Sequence, residues 1–279
     1  ELGLLHLTFY GVRGSCPCPS EANMRYGGNT ACVAVTSDGE DPIVFDLGTG
    51  LRSFGDTQPL DGTFSGAALV THIHWDHVQG LPFFPPADRS GARFHIYGPQ
   101  QEDGSLRDLF DDFMRPPYFP VTIGELRGRY EFHEVLKDDF RIGGADIAVR
   151  PVPHVGPTVG YRVTWHGRVV TYISDHQAPL DLETISGPVL ELASGADVLI
   201  HDAQYTPDEF AEKSHWGHCT VDYAIRVARE AGARKLVLFH HDPAHGDDRL
   251  DEILAEARRS AGADGPEILA AYEGLRLTV

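Results

Sequence analysis

Of the 279 residues, 42% are hydrophobic and 23% charged, with 23 Lys+Arg against 41 Asp+Glu for a net charge of -18. This is an ordinary globular composition with room for a large core, and its acidic balance argues against a broad grip on long nucleic acid, which usually leaves a basic footprint. Four cysteines, Cys16, Cys18, Cys32 and Cys219, do not make a disulfide framework in a chain of this size.

Leu5 to Val12 is apolar and rich in β-formers, predicting a strand that runs into Gly11-Val12-Arg13-Gly14. Ser15 to Thr30 is a loop rich in Gly, Pro and Asn. Ala31–Thr36 and Pro42–Asp46 read as a hairpin around the turn residues Ser37-Asp38-Gly39. Gly48-Thr49-Gly50 opens a short helix, and Ala67–Thr71 is a short strand that stops at His72. Arg93–Tyr97 predicts a strand, Ser105–Met114 a helix, and residues 116–128 irregular chain; residues 100–133 stand out as an insert. Ala145–Pro151, Thr158–Trp165 and Arg168–Ser174 are strands, the last two joined by the turn His166-Gly167. Asp197–His201 and Lys235–Phe239 are further strands. Two amphipathic helices follow from helical spacing: Thr220–Ala231, with Val221, Ala224, Ile225, Val227 and Ala228 on one face, and Asp247–Ser260, with Leu250, Ile253, Leu254 and Ala257 inward. Hairpins with interspersed helices favour an α/β chain of the α+β type, with mixed sheets flanked by helices rather than a doubly wound sheet. With no linker in sight, residues 1–279 are expected to form a single domain. No apolar run reaches about 18 residues, so no spanning helix is expected. No leader pattern is visible, although the chain opens on Glu1 rather than Met, as it would after trimming. The expectation is a cytoplasmic protein.

The strongest chemical signal is Thr71-His72-Ile73-His74-Trp75-Asp76-His77. Residues two apart in extended chain face the same way, so His72 and His74 can share one ion, while Asp76 and His77 can face a second. Packing four such groups into one turn without a metal would carry repeated desolvation costs. His154, Asp175 and His240 each follow an apolar strand, where a loop would present them at one rim of the sheets. Asp175 could bridge the two ions.

These residues, in this order, resemble the metallo-β-lactamase superfamily over nearly the whole chain. The resemblance includes Asp46-Leu47-Gly48-Thr49-Gly50 ahead of the metal loop. It implies an αββα sandwich holding two divalent ions, zinc first with manganese or iron as alternatives. One ion would sit on His72, His74, His154 and Asp175, the other on Asp76, His77, Asp175 and His240. Within the superfamily the chain is similar to the phosphodiesterase branch, which includes ribonuclease Z and small cyclic phosphodiesterases. Ile200-His201-Asp202-Ala203 resembles a His-Glu-Ala-Thr segment of ribonuclease Z, and Gly217-His218-Cys219-Thr220 its Gly-His-Ser-Thr. The resemblance implies His218 as phosphate contact or general acid and Asp202 as its partner, with a shorter reach than Glu. Asp76, His218 and Asp202 are thus the expected catalytic set.

The chemistry these residues suit is attack on a phosphodiester by a hydroxide that bridges the two ions. The expected substrate and partner is a small phosphodiester, cyclic ones included, with no membrane partner; a homo-oligomer is compatible with the sequence. Alternatives are tRNA 3′-end processing, lactone or ester hydrolysis on the same ions, and a non-catalytic ligand-sensing domain. Arg13, Arg25 and Asn29, in the Gly-rich loops, are expected substrate contacts. Trp75, Tyr118, Phe119 and Trp216 are placed to stack on a flat group or wall the site, whereas Phe83 and Phe84 read as packing. Cys16-Pro17-Cys18 offers two ligands for an extra structural zinc, short of the usual four.

Overall fold

The computed structural model describes residues 3–279. The first sheet takes β1 (His6–Gly11), β2 (Cys32–Thr36), β3 (Ile43–Phe45), β4 (Ser65–Leu69), β5 (Arg93–Pro99) and β6 (Arg129–Val135). The second takes β7 (Asp138–Ile142), β8 (Ala145–Pro151), β9 (Val159–Trp165), β10 (Arg168–Ile173), β11 (Val198–Asp202), β12 (Lys235–Phe239) and β13 (Glu267–Ala270). The last strand, β14 (Arg276–Thr278), returns to the first sheet beside β1. The helices are α1 (Leu51–Gly55), α2 (Trp75–Val78), α3 (Leu106–Phe113), α4 (Gly187–Ala193), α5 (Pro207–Lys213), α6 (Val221–Ala231) and α7 (Asp247–Ala261).

Both sheets are mixed. β1, β2 and β3 pair antiparallel, then β3 through β6 run parallel. β7 through β10 pair antiparallel, then β10 through β13 run parallel. Short turns suffice for the antiparallel halves: His166 and Gly167 both take positive φ, 52° and 75°, as a two-residue hairpin turn needs. Parallel neighbours need crossovers, and the helices supply most of them.

Alternation along the strands builds the layers. Ile200 and Val237 face the other sheet, where Phe45 stacks on Tyr172 at 4.6 Å between ring centres. Their neighbours Leu199, Leu236 and Leu238 face outward onto α4, α6 and α7. Ala34, Val44, Ala68, Phe94 and Ile96 face outward from the first sheet onto α1, α3 and the loop with Phe84. The order is helix, sheet, sheet, helix, the αββα sandwich that the resemblance implied. The side chain of Thr220 caps α6 at Tyr223 N, and Gly232 at φ 67° closes it.

Several elements lay unread in the sequence. β6 carries Tyr130 and Phe132 against Arg129, Glu131 and His133, an alternation that marks a strand. Residues 129–133 therefore belong to the sheet, and the expected insert shrinks to the crossover between β5 and β6. The helix α5 has its own start signal, a capping box of Thr206 and Glu209 with Pro207 between. All four cysteines are free thiols. No helix is long and apolar enough to cross a membrane among the described residues.

Candidate metal centre

β3 and β4 run parallel, and so do β10, β11 and β12, so each set ends on a common rim. Beyond β4 the chain stays extended through His74, whose φ and ψ of -64° and 149° make it the N-cap of α2. That start aligns His72 and His74 with one group of donors and puts Asp76 and His77 on the helix. His154 follows β8, Asp175 follows β10 through Ser174, and His240 follows β12. Asp46 and His240 are non-glycine residues in the left-handed region, at φ 57° and 59°. Such strain clusters where a site dictates backbone geometry.

The structure gathers seven side chains into two abutting groups. His72, His74, His154 and Asp175 form one, and Asp76, His77 and His240 the other; Asp175 and His240 also come together with His218. Asp175 touches both: its Oδ2 lies 3.6 Å from His72 Nε2 and from His154 Nε2, and its Oδ1 lies 3.1 Å from His77 Nε2. His240 Nε2 lies 3.0 Å from Asp76 Oδ2 and 3.2 Å from His77 Nε2. Ligands about 2.1 Å from one tetrahedral ion stand about 3.4 Å apart, so these separations fit.

The proton positions make the stronger test of fit. His77 Nδ1 donates to Asp46 Oδ2 at 2.7 Å, and His240 Nδ1 donates to Gln204 Oε1 at 2.7 Å. Both rings then turn Nε2 inward, and the two Nε2 atoms face each other at 3.2 Å. His154 Nδ1 donates to Gly217 O at 2.6 Å, which leaves its Nε2 bare as well. Ring nitrogens and carboxylate oxygens that converge in a buried space are the donors a divalent cation takes. The donor set therefore fits divalent ions.

Burial pushes the imidazoles of His72, His74 and His154 down, so they stay neutral and able to ligate. Burial works the other way on Asp76 and Asp175, but the surrounding histidines hold both well below the usual carboxylate range. Behind these groups stand residues that the sequence reading gave no role. Asp46 holds His77, Gln204 holds His240, and Ser174 Oγ donates to Asp175 Oδ1 at 2.7 Å. Asp46 follows β3 just as the other groups follow their strands, and that position was its available signal.

His218 faces the same cavity as His74, Asp76, Asp175 and His240, a space of about 390 Å³. Its Nδ1 lies 2.8 Å from Asp202 Oδ2. Burial opposes the charged ring, yet Asp202 outweighs it and the pKa is pushed up to about 9. Asp202 is itself fixed by the backbone N–H groups of His176 and Gln204, each at 3.0 Å. The pair forms despite the shorter Asp. His176 pairs with His201 behind the site at 3.0 Å, and His241 bonds Ala271 O at 2.9 Å, so both are structural.

A second cavity of about 420 Å³ adjoins the first through Ile73, His74 and Trp75. The crossover between β5 and β6 walls it with Gln101, Leu109, Asp112, Phe113 and Tyr118. Trp75, Tyr118 and Trp216 are exposed at the rims, Phe83 is exposed against Phe119, and Phe84 is core.

The three expected substrate contacts are all engaged by other partners in the structure. Arg13 is fully buried and donates to the carbonyls of Gly27, Asp242 and His245, tying loops together. Arg25 pairs on the surface with Asp248 and Asp251 of α7 at 3.2 and 2.6 Å. Asn29 is held at both its backbone N–H and its side chain by Glu273. Their loops pack against the start of α7 and the chain before β14, and none of the three lines either cavity. Cys16 and Cys18 join no group of potential ligands among the described residues.

Residues 43–241 match the family described as the Beta-lactamase superfamily domain. The ribonuclease Z of Haloarcula marismortui is 28% identical, with 99% of this chain and 97% of that protein aligned. The ribonuclease Z of Pyrococcus abyssi is 25% identical over 87% of this chain and 88% of that one. Among solved structures, the metallo-β-lactamase fold protein YhfI of Bacillus subtilis superposes with a TM-score of 0.74 at 19% identity, covering 99% and 100% of the two chains. The short form of human tRNase Z superposes with a TM-score of 0.71 at 22% identity, covering 98% of each.

Proposed function

Because the chain belongs to the metallo-β-lactamase superfamily, on its phosphodiesterase and ribonuclease Z branch, and is a metal-dependent hydrolase, we propose that it uses two divalent cations to cleave phosphodiester bonds, foremost at the 3′ end of precursor tRNA. The observation that carries this reading is the convergence of buried lone pairs and carboxylates on one rim, with the His218–Asp202 pair facing the same cavity.

His72, His74, His154 and Asp175 would hold one ion, and Asp76, His77 and His240, with Asp175 shared, the other. Zinc suits this nitrogen and oxygen set, as do manganese and iron. When bound, such ions neutralise phosphoryl oxygens and lower the pKa of water. The chain's own part is to bind, orient and protonate. Asp202 occupies Nδ1 of His218 and favours its charged form, which leaves Nε2–H to donate to the leaving oxygen. Trp75, Tyr118 and Trp216 offer faces on which bases can stack. The whole chain acts as one hydrolase domain in this reading, and its free thiols suit the reducing cytoplasm.

The curated relatives support the tRNA substrate. A second reading, a small phosphodiester, is favoured by the net charge of -18 and by Asp112 in the wall of the neighbouring cavity, both of which repel a polyanion. The test gives metal-replete protein a 3′-extended precursor tRNA, bis(p-nitrophenyl) phosphate, a cyclic nucleotide and a lactone. Trimming of the tRNA supports the first reading, and turnover of the small diesters alone supports the second. Lactone turnover without any phosphodiester cleavage overturns both.

A further inference from the structure

A separate cluster of ligating groups lies away from this centre, on the β5 and β6 strands. Phe94 and Ile96 face outward into the helical layer, so His95 and Tyr97 face the opposite way, toward the second sheet. On β6 the same alternation sends Tyr130 and Phe132 outward and puts Glu131 and His133 on the face with His95. The register pairs His95 with Glu131 and Tyr97 with His133. His95 Nδ1 then lies 3.0 Å from His133 Nε2 and 3.6 Å from Glu131 Oε2.

The surroundings hold this arrangement in place. Tyr97 stacks on His133 at 4.4 Å and on Phe140 of β7 at 4.8 Å, which fixes the ring. Arg129 pairs with the other oxygen of Glu131 at 2.6 Å, leaving Oε2 for the cluster. The three ligand atoms lie within 4.8 Å of one another and are half-buried, so an ion can enter from solvent. No residue is shared with the centre described above. In the register His95 sits beside Ala67, and five residues of extended chain to His72 place the two sites about 17 Å apart.

We propose that His95, Glu131 and His133 form a separate binding site for one divalent transition ion, zinc or a similar nitrogen- and oxygen-liganded cation, with solvent completing the shell. Two histidines and a carboxylate with an open position are an established zinc ligand set. The site clamps the edge strand β6 to β5. Those two strands bracket the crossover that carries Asp112, Phe113 and Tyr118, so the ion steadies one wall of the cavity beside the catalytic rim.

The test strips the full-length protein with a chelator and titrates it with zinc, reading stoichiometry by calorimetry and elemental analysis. Wild type is expected to bind about one equivalent more than the double variant His95→Gln, His133→Gln, and more than the near-isosteric Glu131→Gln, chosen to spare the strand pairing. The double variant His72→Ala, His240→Ala should retain that equivalent. Zinc should also slow proteolysis of residues 100–128 in wild type and not in Glu131→Gln. Equal stoichiometry in wild type and Glu131→Gln overturns the proposal, as does loss of every equivalent in the His72→Ala, His240→Ala protein. The binding readout is independent of hydrolysis, so this site and the catalytic reading stand or fall separately.

Discussion

Asp46 accepts from four donors at once: Thr71 N at 2.8 Å, Thr71 Oγ1 at 3.0 Å, Tyr172 Oη at 2.8 Å and His77 Nδ1 at 2.7 Å. Its carboxylate sets the tautomer of His77 and aims Nε2 at the centre, a role that partners of metal-ligating histidines commonly fill. In Asp46→Asn one oxygen becomes an N–H donor that meets other donors. Metal affinity should fall about 10- to 100-fold, read by competition with a chromogenic chelator. Unchanged affinity would mean that packing alone orients His77. His218 makes a different prediction because it is outside both groups that hold the ions in our reading. His218→Ala should keep its metal content and lose about 100- to 10,000-fold in kcat, the usual worth of a general acid. Loss of metal together with activity would recast His218 as a ligand.

The turn before α6 shows how an element constrains the residues it carries. Gly217 sits at φ 99°, accepts from His154 Nδ1 through its carbonyl and donates its N–H to Gln177. A Cβ added there would stand 2.5 Å from His154 Cε1. Gly217→Ala should therefore displace His154, and metal retained after dialysis against a weak chelator should drop by roughly tenfold or more. Full retention would show that the turn can relax without moving the ring. Elements of this kind explain what the sequence could disclose. His154, Asp175 and His240 each stand directly after an apolar run, a local pattern, and the fold carries those strand ends to one rim. The fates of Arg13, Arg25 and Asn29 were not local. Their partners Asp242, His245, Asp251 and Glu273 lie more than two hundred residues away. A Gly-rich loop has no periodicity to say which side it packs on. β6 did carry its alternation, but its half-buried charged residues hid it among the polar chain around it.

The charge of the whole molecule bears on which phosphodiester it meets in solution. A protein that grips nucleic acid through many lysines and arginines releases counterions, and its affinity falls about 10³- to 10⁵-fold between 50 and 200 mM salt. Here the net charge is -18, and ions in the two groups would offset only a small part of it. The long-range field therefore opposes an approaching tRNA, and screening weakens that opposition. For a precursor tRNA, kcat/KM should stay level or rise over that salt range. For bis(p-nitrophenyl) phosphate, with a single charge, it should change less still. Salt series with both substrates, run at fixed metal concentration, measure the difference. A steep fall with the tRNA alone would reveal a local basic surface strong enough to overrule the net charge, and Asp112 and its neighbours would then lie off the RNA path.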